Sequence, residues 1–187
     1  MYYNRYIEKT VLKSLSTNPV TAILGPRQCG KSTLAKKLLK NKFDDIFLDL
    51  ERPSDYEKLN DAEWFFSSQK NKLICIDEIQ RKPDLFPLIR SLVDEWGGNG
   101  HFLILGSASR DLLKQSSESL AGRISYKRLT PFLVSEIENS VHIEEYINKG
   151  GFPRSLLADS PETSFNWRED FITTFLERDL QQWAGFA

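Results

Sequence analysis

A parallel α/β sheet covered by helices on both faces is the fold class this sequence predicts, and three observations predict it. Short apolar, β-branched runs alternate with stretches whose apolar residues recur at helical spacing. The first such run, Val20-Thr21-Ala22-Ile23-Leu24, stops at Gly25 and feeds a glycine-bearing loop. A later one, Leu73-Ile74-Cys75-Ile76, is apolar throughout, as a strand covered on both faces must be, and ends in the adjacent acids Asp77-Glu78.

The elements follow in order. Ile7, Val11, Leu12 and Leu15 make a helical stripe that Asn18-Pro19 breaks before the first strand. From Lys31 a helix carries Leu34, Ala35, Leu38 and Leu39 on one face, and 45–50 is the second strand. Ser54 is placed to cap a helix reaching Gln69, with Leu59, Ala62, Phe65 and Phe66 inward. After the third strand, a helix from about Pro83 to Trp96 ends at Gly97-Gly98-Asn99-Gly100. His101 to Leu105 reads as the fourth strand and Ile124 to Leu129 as the fifth. Such alternation means a parallel sheet. Beyond Pro131 the chain reads as helices, broken at Gly150-Gly151-Phe152-Pro153; Ser160 and Pro161 start the last one. The expected division is an α/β core over 1–135 and a helical lid with the start of a truncated C-terminal region over 136–187.

Composition narrows the class. The chain has 187 residues, 40% hydrophobic and 27% charged, enough for one core and a small second lobe. A net charge of −1 carries no global basic signal, so DNA as a partner is unsupported by charge. Cys29 and Cys75 have no disulfide framework around them, and no apolar run approaches a membrane span or a signal peptide. The reading is cytoplasmic. His101 and His142 have no metal-ligand spacing.

The chemistry sits in two motifs. Gly25-Pro26-Arg27-Gln28-Cys29-Gly30-Lys31-Ser32 fits G-x-x-x-x-G-K-[ST], a pattern that chance produces in a chain this long about once in a hundred. Its backbone N–H groups wrap phosphates, and glycine stands where the chain curls and comes close. Lys31 reaches the β- and γ-phosphates, Ser32 ligates Mg²⁺, and Thr33 is placed for the α-phosphate. ATP and Mg²⁺ are therefore the expected ligands. Cys29 is either a passive small residue or a redox-sensitive one.

Asp77 is expected to hold the magnesium shell, and Glu78 to orient and deprotonate the attacking water. This second acid argues against a GTPase. Asn41-Lys42-Phe43-Asp44 does match the guanine-reading pattern [NT]KxD, but it comes too early in the sheet to reach a base. At the tip of the fourth strand, Ser107 is either a γ-phosphate sensor or a loop serine bonding its own backbone.

These residues together resemble the AAA+ superfamily of P-loop NTPases (the ASCE class), and look most like AAA-14-type ATPases that carry a DUF4143 C-terminal region. The likeness includes Gly25-Pro26-Arg27-Gln28, Ile76-Asp77-Glu78-Ile79-Gln80-Arg81, Gly106-Ser107-Ala108-Ser109, Glu118-Ser119-Leu120-Ala121-Gly122-Arg123, Gly150-Gly151-Phe152-Pro153 and Leu176-Glu177-Arg178-Asp179-Leu180. The resemblance implies a five-stranded sheet of order 5-1-4-3-2 with a helical lid. It also implies an arginine-finger role for Arg123 on the next subunit's nucleotide, hence a homo-oligomer; a surface ion pair is the other reading. By the same likeness, Phe152 and Pro153 either hold adenine or only break the chain, Arg154 is a candidate lid sensor, and Tyr3 or Arg5 may border the base. Relatives continue past Asp179, so a missing C-terminal domain or a protein partner is expected. Three functions compete: an ATPase, a STAND-like switch that binds ATP or ADP and hardly turns over, and a DNA-associated module.

Overall fold

The structure, a computed structural model, describes residues 2–39, 45–107, 116 and 118–184, with side chains up to Phe175. Asn41–Asp44, Ala108–Ser109 and the side chains of Leu176–Leu180 lie outside the described set. The chain divides into two compact units, Asn4–Thr130 and Met1–Tyr3 with Pro131–Ala187.

In the first unit five parallel strands form one sheet: β1 (Val20–Leu24), β2 (Ile46–Asp49), β3 (Ile74–Asp77), β4 (Phe102–Gly106) and β5 (Ile124–Arg128). Their order is β2-β3-β4-β1-β5, the 5-1-4-3-2 arrangement expected. Registers such as Leu24↔Gly106 and Ile76↔Ile104 bring the carboxyl ends of β1, β3 and β4 level.

Strand periodicity sorts the core into two layers. Val20, Ala22, Leu24, Ile74, Ile76, Phe102 and Ile104 face one side, packed with Leu59, Phe66, Leu85, Phe86 and Ile89. Ile23, Cys75, Leu103 and Leu105 face the other. That second face is covered by Val11 of α1 (Ile7–Thr17) and by Leu34, Ala35, Leu38 and Leu39 of α2 (Lys31–Leu39). Thr21, on the same face, is satisfied by the Ser14 hydroxyl at 2.9 Å. The central strands are buried along their length, whereas β5 at the edge is half-buried.

The helix expected from Ser54 to Gln69 is instead two short ones, α3 (Pro53–Glu57) and α4 (Ala62–Ser67). Pro53 takes the first helical turn in place of a Ser54 cap. Asp55 accepts from the Asp49 backbone N–H at 3.1 Å, which ties α3 to the end of β2, and the Asp61 side chain caps α4 by accepting from Trp64 N at 3.1 Å. After β3 come a 3-10 turn (Ile79–Arg81) and α5 (Leu85–Trp96), which ends at Gly97.

The second unit is helical: α6 (Val134–Ile137), α7 (Ile143–Lys149), α8 (Pro153–Leu156) and α9 (Pro161–Ala184). Ser160 Oγ accepts from Thr163 N at 3.1 Å at the start of α9, the cap its position predicts. A small core of Phe132, Ile137 and Leu156 is joined by Tyr3, Val141 and Tyr146. A polar knot ties α7, α8 and α9: Ser155 Oγ bonds the Lys149 carbonyl and Ser164 Oγ, and Arg168 donates to both serines.

Candidate functional site

The loop from Gly25 to Gly30 leaves β1 and enters α2, and two glycines explain its path. Gly25 is buried against the main chain after β5: a Cβ there would collide with the Leu129 carbonyl oxygen. Gly30 has φ +100, a conformation L side chains rarely adopt, and Gln28 accepts φ +61 between them. The curl delivers the first turn of α2, whose leading N–H groups have no partner within the helix.

Lys31 opens α2 and is only 6% exposed. Its ammonium donates to the carbonyls of Gly25 at 3.0 Å and Pro26 at 2.9 Å. Moving onto phosphate oxygens exchanges neutral acceptors for anionic ones, and charge-assisted bonds of that kind are the stronger.

One residue on, Ser32 Oγ donates to Asp77 Oδ2 at 2.5 Å, joining α2 to the end of β3. Burial pushes the Asp77 carboxyl up from its usual range, while the Ser32 hydroxyl and the Lys31 charge draw it down. A hydroxyl and a carboxylate so joined are the oxygen donors a magnesium shell takes, and the set fits that ion.

Glu78 follows in the left-handed region, φ 56 and ψ 44. This costs a non-glycine residue and recurs where a side chain must be re-aimed. Its backbone N–H bonds Asp77 Oδ1 at 3.0 Å, and its carboxylate accepts from the Gln80 amide. Gln80 Oε1 is buried and accepts no hydrogen bond among the described groups. The Glu78 carboxyl is held above its ordinary value by burial first and the Asp77 charge second, with Lys31 and Gln80 pulling back.

Ser107 follows Gly106, whose partner in β1 is Leu24, so it stands beside the residue that opens the loop. Lys31, Ser32, Asp77, Glu78 and Ser107 are thus brought to the carboxyl edge of three adjacent strands. Pro26 and Gln28 are exposed on the loop, Arg27 is half-buried, and Thr33 is exposed in the first turn of α2.

Arg123 is not among them. The carbonyl of Arg123 accepts from Val20 N, at the opposite end of β1 from Gly25, a separation of roughly 13–16 Å at the rise of a strand. Its guanidinium forks onto Asp94 at 2.5 and 2.8 Å beside a polar groove of about 270 Å³ lined by Arg90, Ser91 and Glu118 among others. Phe152 and Pro153 belong to the second unit. Phe152 packs its ring against Trp167 and Phe171 of α9, with centroids 5.9 and 5.0 Å apart, and Pro153 opens α8. Arg154 is exposed.

Three further placements bear on the site. Cys29 is fully buried, and burial raises its thiol, against a redox-sensitive role. Arg5, one of two alternatives offered beside the base, donates to the carbonyls of Cys29 at 3.2 Å and Thr130 at 2.6 Å. Gln80, to which the motif alone assigns no role, reaches the Glu78 carboxylate, and its place two residues after Glu78 is the signal in the sequence. Among the described residues no group of three or more His, Cys, Asp or Glu side chains forms that could hold a metal ion. No helix among them is long and apolar enough to cross a membrane.

Residues 17–138 match the AAA domain family AAA_14. Residues 140–186 match a domain of unknown function, DUF8612, in place of the DUF4143 region expected there. Uncharacterized proteins of Mycobacterium bovis (Mb2031c) and Mycobacterium tuberculosis (Rv2008c) are each 45% identical over 170 residues, 91% of this chain. The chain spans 38% of the length of those relatives. Among solved structures, the Walker-type ATPase PABY2304 of Pyrococcus abyssi is similar with a TM-score of 0.60 at 16% identity, over 98% of this chain and 76% of that one. The STAND protein PH0952 of Pyrococcus horikoshii gives 0.54 at 18%, over 83% and 29%. AMPPCP-bound DnaA from Aquifex aeolicus gives 0.51 at 13%, over 94% and 63%. At such identities these likenesses speak for the fold alone. With its five-stranded 5-1-4-3-2 sheet, its phosphate loop and a family match over most of its length, the chain belongs to the AAA domain family AAA_14 of P-loop ATPase-like proteins.

Proposed function

We propose that this chain binds ATP with Mg²⁺ at the Gly25–Ser32 loop and hydrolyses the β–γ phosphoanhydride. The observation that carries the reading is the Ser32–Asp77 bond with Glu78 next in the chain, which puts a hydroxyl and two carboxylates within the field of Lys31. Loop N–H groups and Lys31 hold the β- and γ-phosphates, and Thr33 takes the α-phosphate. Ser32 and Asp77 hold Mg²⁺, which when bound spreads the charge of the β- and γ-oxygens. Glu78 accepts the proton of the attacking water as its oxygen bonds the γ-phosphorus, and ADP departs with the bridging oxygen. Ser107 contacts the γ-phosphate.

Calorimetry with ATP, ADP and Mg²⁺, paired with phosphate release, tests this. Lys31→Ala is expected to lose nucleotide affinity, and Glu78→Gln to keep affinity and lose turnover. Unchanged affinity in Lys31→Ala defeats the assignment.

A nucleotide-dependent switch is the second reading, favoured by the Gln80 amide that already engages the Glu78 carboxylate. In that case phosphate release is slow in the wild type and Glu78→Gln lowers it little. Arg123, at the far end of β1 from its own loop, serves a neighbouring copy in either reading. Turnover then rises more steeply than protein concentration, and Arg123→Ala lowers it while sparing binding.

A further inference from the structure

Arg5 is 6% exposed although its guanidinium carries a full charge. Its own main chain is anchored: the backbone N–H donates to Glu8 Oε1 at 2.8 Å, and the carbonyl accepts from Glu8 N at 3.0 Å. From there the side chain runs beneath the phosphate loop. Nη1 donates to the Cys29 carbonyl at 3.2 Å and Nη2 to the Thr130 carbonyl at 2.6 Å. Nη1 also lies 3.8 Å from where a Gly30 side chain would begin.

The consequence follows from peptide geometry. The bond between Cys29 and Gly30 is trans and planar, so its C=O and N–H point in opposite directions. Drawing the Cys29 carbonyl down onto Arg5 turns the Gly30 N–H the other way, to the side away from the guanidinium. If the loop cradles phosphate, that is the side its donors serve, and one buried side chain then sets the aim of a phosphate-binding N–H from behind. A planar fork suits the task, since its two nitrogens reach two carbonyls 101 residues apart in the chain (130 − 29) while staying rigid.

We propose that Arg5 is a positioning residue of the nucleotide site, fixing the Gly30 N–H for the β-phosphate by holding the Cys29 carbonyl. This rests on the reading of the loop as a nucleotide site. Arg5 touches no phosphate itself. It acts through the backbone of the loop, and its second bond at Thr130 makes the segment after β5 the fixed point against which the loop is held.

The test is Mg·ADP calorimetry on the wild type, Arg5→Gln and Arg5→Met, with the Gly30 amide followed by ¹⁵N NMR and melting temperature recorded for each. The wild type is expected to bind and to shift its Gly30 amide on binding. The Gln and Met variants, where folded, are expected to bind about tenfold more weakly, the scale of one bond to a charged group, with a smaller Gly30 shift. A purely structural Arg5 would lower the melting temperature and leave affinity and the Gly30 shift unchanged; that result overturns the proposal. If neither variant folds, Arg5→Lys decides: it keeps the charge but loses the rigid planar fork, so weakened ADP binding with a reduced Gly30 shift supports the proposal and wild-type values overturn it. A wild type that binds no nucleotide removes the reading of the loop, and the proposal with it, and is recognised by its own flat titration.

Discussion

Ser32 Oγ donates to Asp77 Oδ2 at 2.5 Å across 45 residues of sequence, joining the start of α2 to the end of β3. Burial holds the Asp77 carboxyl above its usual range, and this bond is the foremost of the contacts that draw it back, ahead of the Lys31 charge and the Glu78 N–H. The same two oxygens are the donors we assign to Mg²⁺, and the Ser32 hydroxyl keeps its lone pairs for the ion while it donates its proton to Asp77. Ser32→Ala is therefore expected to abolish the Mg²⁺ enhancement of nucleotide affinity, by roughly 10-fold or more given the worth of a bond to a charged group. Calorimetry of ADP with and without Mg²⁺ measures it, and an enhancement of wild-type size in the variant would refute the ligand assignment.

The pH dependence of turnover has a definite sign. Glu78 must be ionised to accept a proton, and burial followed by the Asp77 charge holds its carboxyl above the ordinary range. Turnover should fall on acidification at a pH above that of a free glutamate. The Gln80 amide favours the ionised form, so Gln80→Ala should move this limb to higher pH. A limb that stays in place, or moves down, disposes of Gln80 as the partner that tunes the base.

Stability runs the opposite way for the same group. A carboxyl raised by folding keeps its proton longer in the folded than in the unfolded chain, so its favourable contribution is present below the unfolded pKa and is lost as pH rises through the folded one. The melting temperature of Glu78→Gln should accordingly gain on the wild type as pH rises through the window just above the ordinary glutamate range. A gap that is constant with pH across that window contradicts the burial of this carboxyl.

Gly25→Ala should fail in the fold before it fails in binding. The new methyl meets the Leu129 carbonyl oxygen and approaches Cys29 Sγ at 3.1 Å, so main chain has to move. Overpacking of this kind costs about 1–3 kcal/mol and more where backbone is the obstacle. Denaturant unfolding gives the number, and a variant as stable as the wild type would mean the loop does not pass so close to the end of β5.

Both thiols should be inert in the native protein. Cys29 and Cys75 are fully buried, and burial pushes each thiol up, Cys75 well above its usual value. A thiol reagent near pH 8 should react only after denaturant is added. Fast reaction of one equivalent in the native state would expose Cys29 and revive a redox role for the loop.

The first unit was largely legible in the sequence because its signals are local. Strands buried on both faces read as unbroken apolar runs, the phosphate loop needs small residues at set positions, and Asp77-Glu78 stands out at the end of an apolar run. The Ser54 helix was misread for a tertiary reason. Asp55 is drawn to the end of β2 and Asp61 starts a new helix, and neither choice shows in an apolar stripe.

The sequence by itself determined the strand and helix alternation, a sheet covered on both faces, and the residues of the phosphate-loop motif and the acidic pair. Only the tertiary structure decided where distant groups meet. It set Ser32 on Asp77, turned the Gln80 amide to Glu78 from the left-handed conformation of that residue, sent Arg123 to Asp94 away from its own loop, and drew Arg5 under the loop to Cys29 and Thr130. The reason is physical: periodicity and turn chemistry are properties of neighbouring residues, whereas a buried charge or an orphaned carbonyl finds its partner in whatever the folded chain brings within about 3 Å.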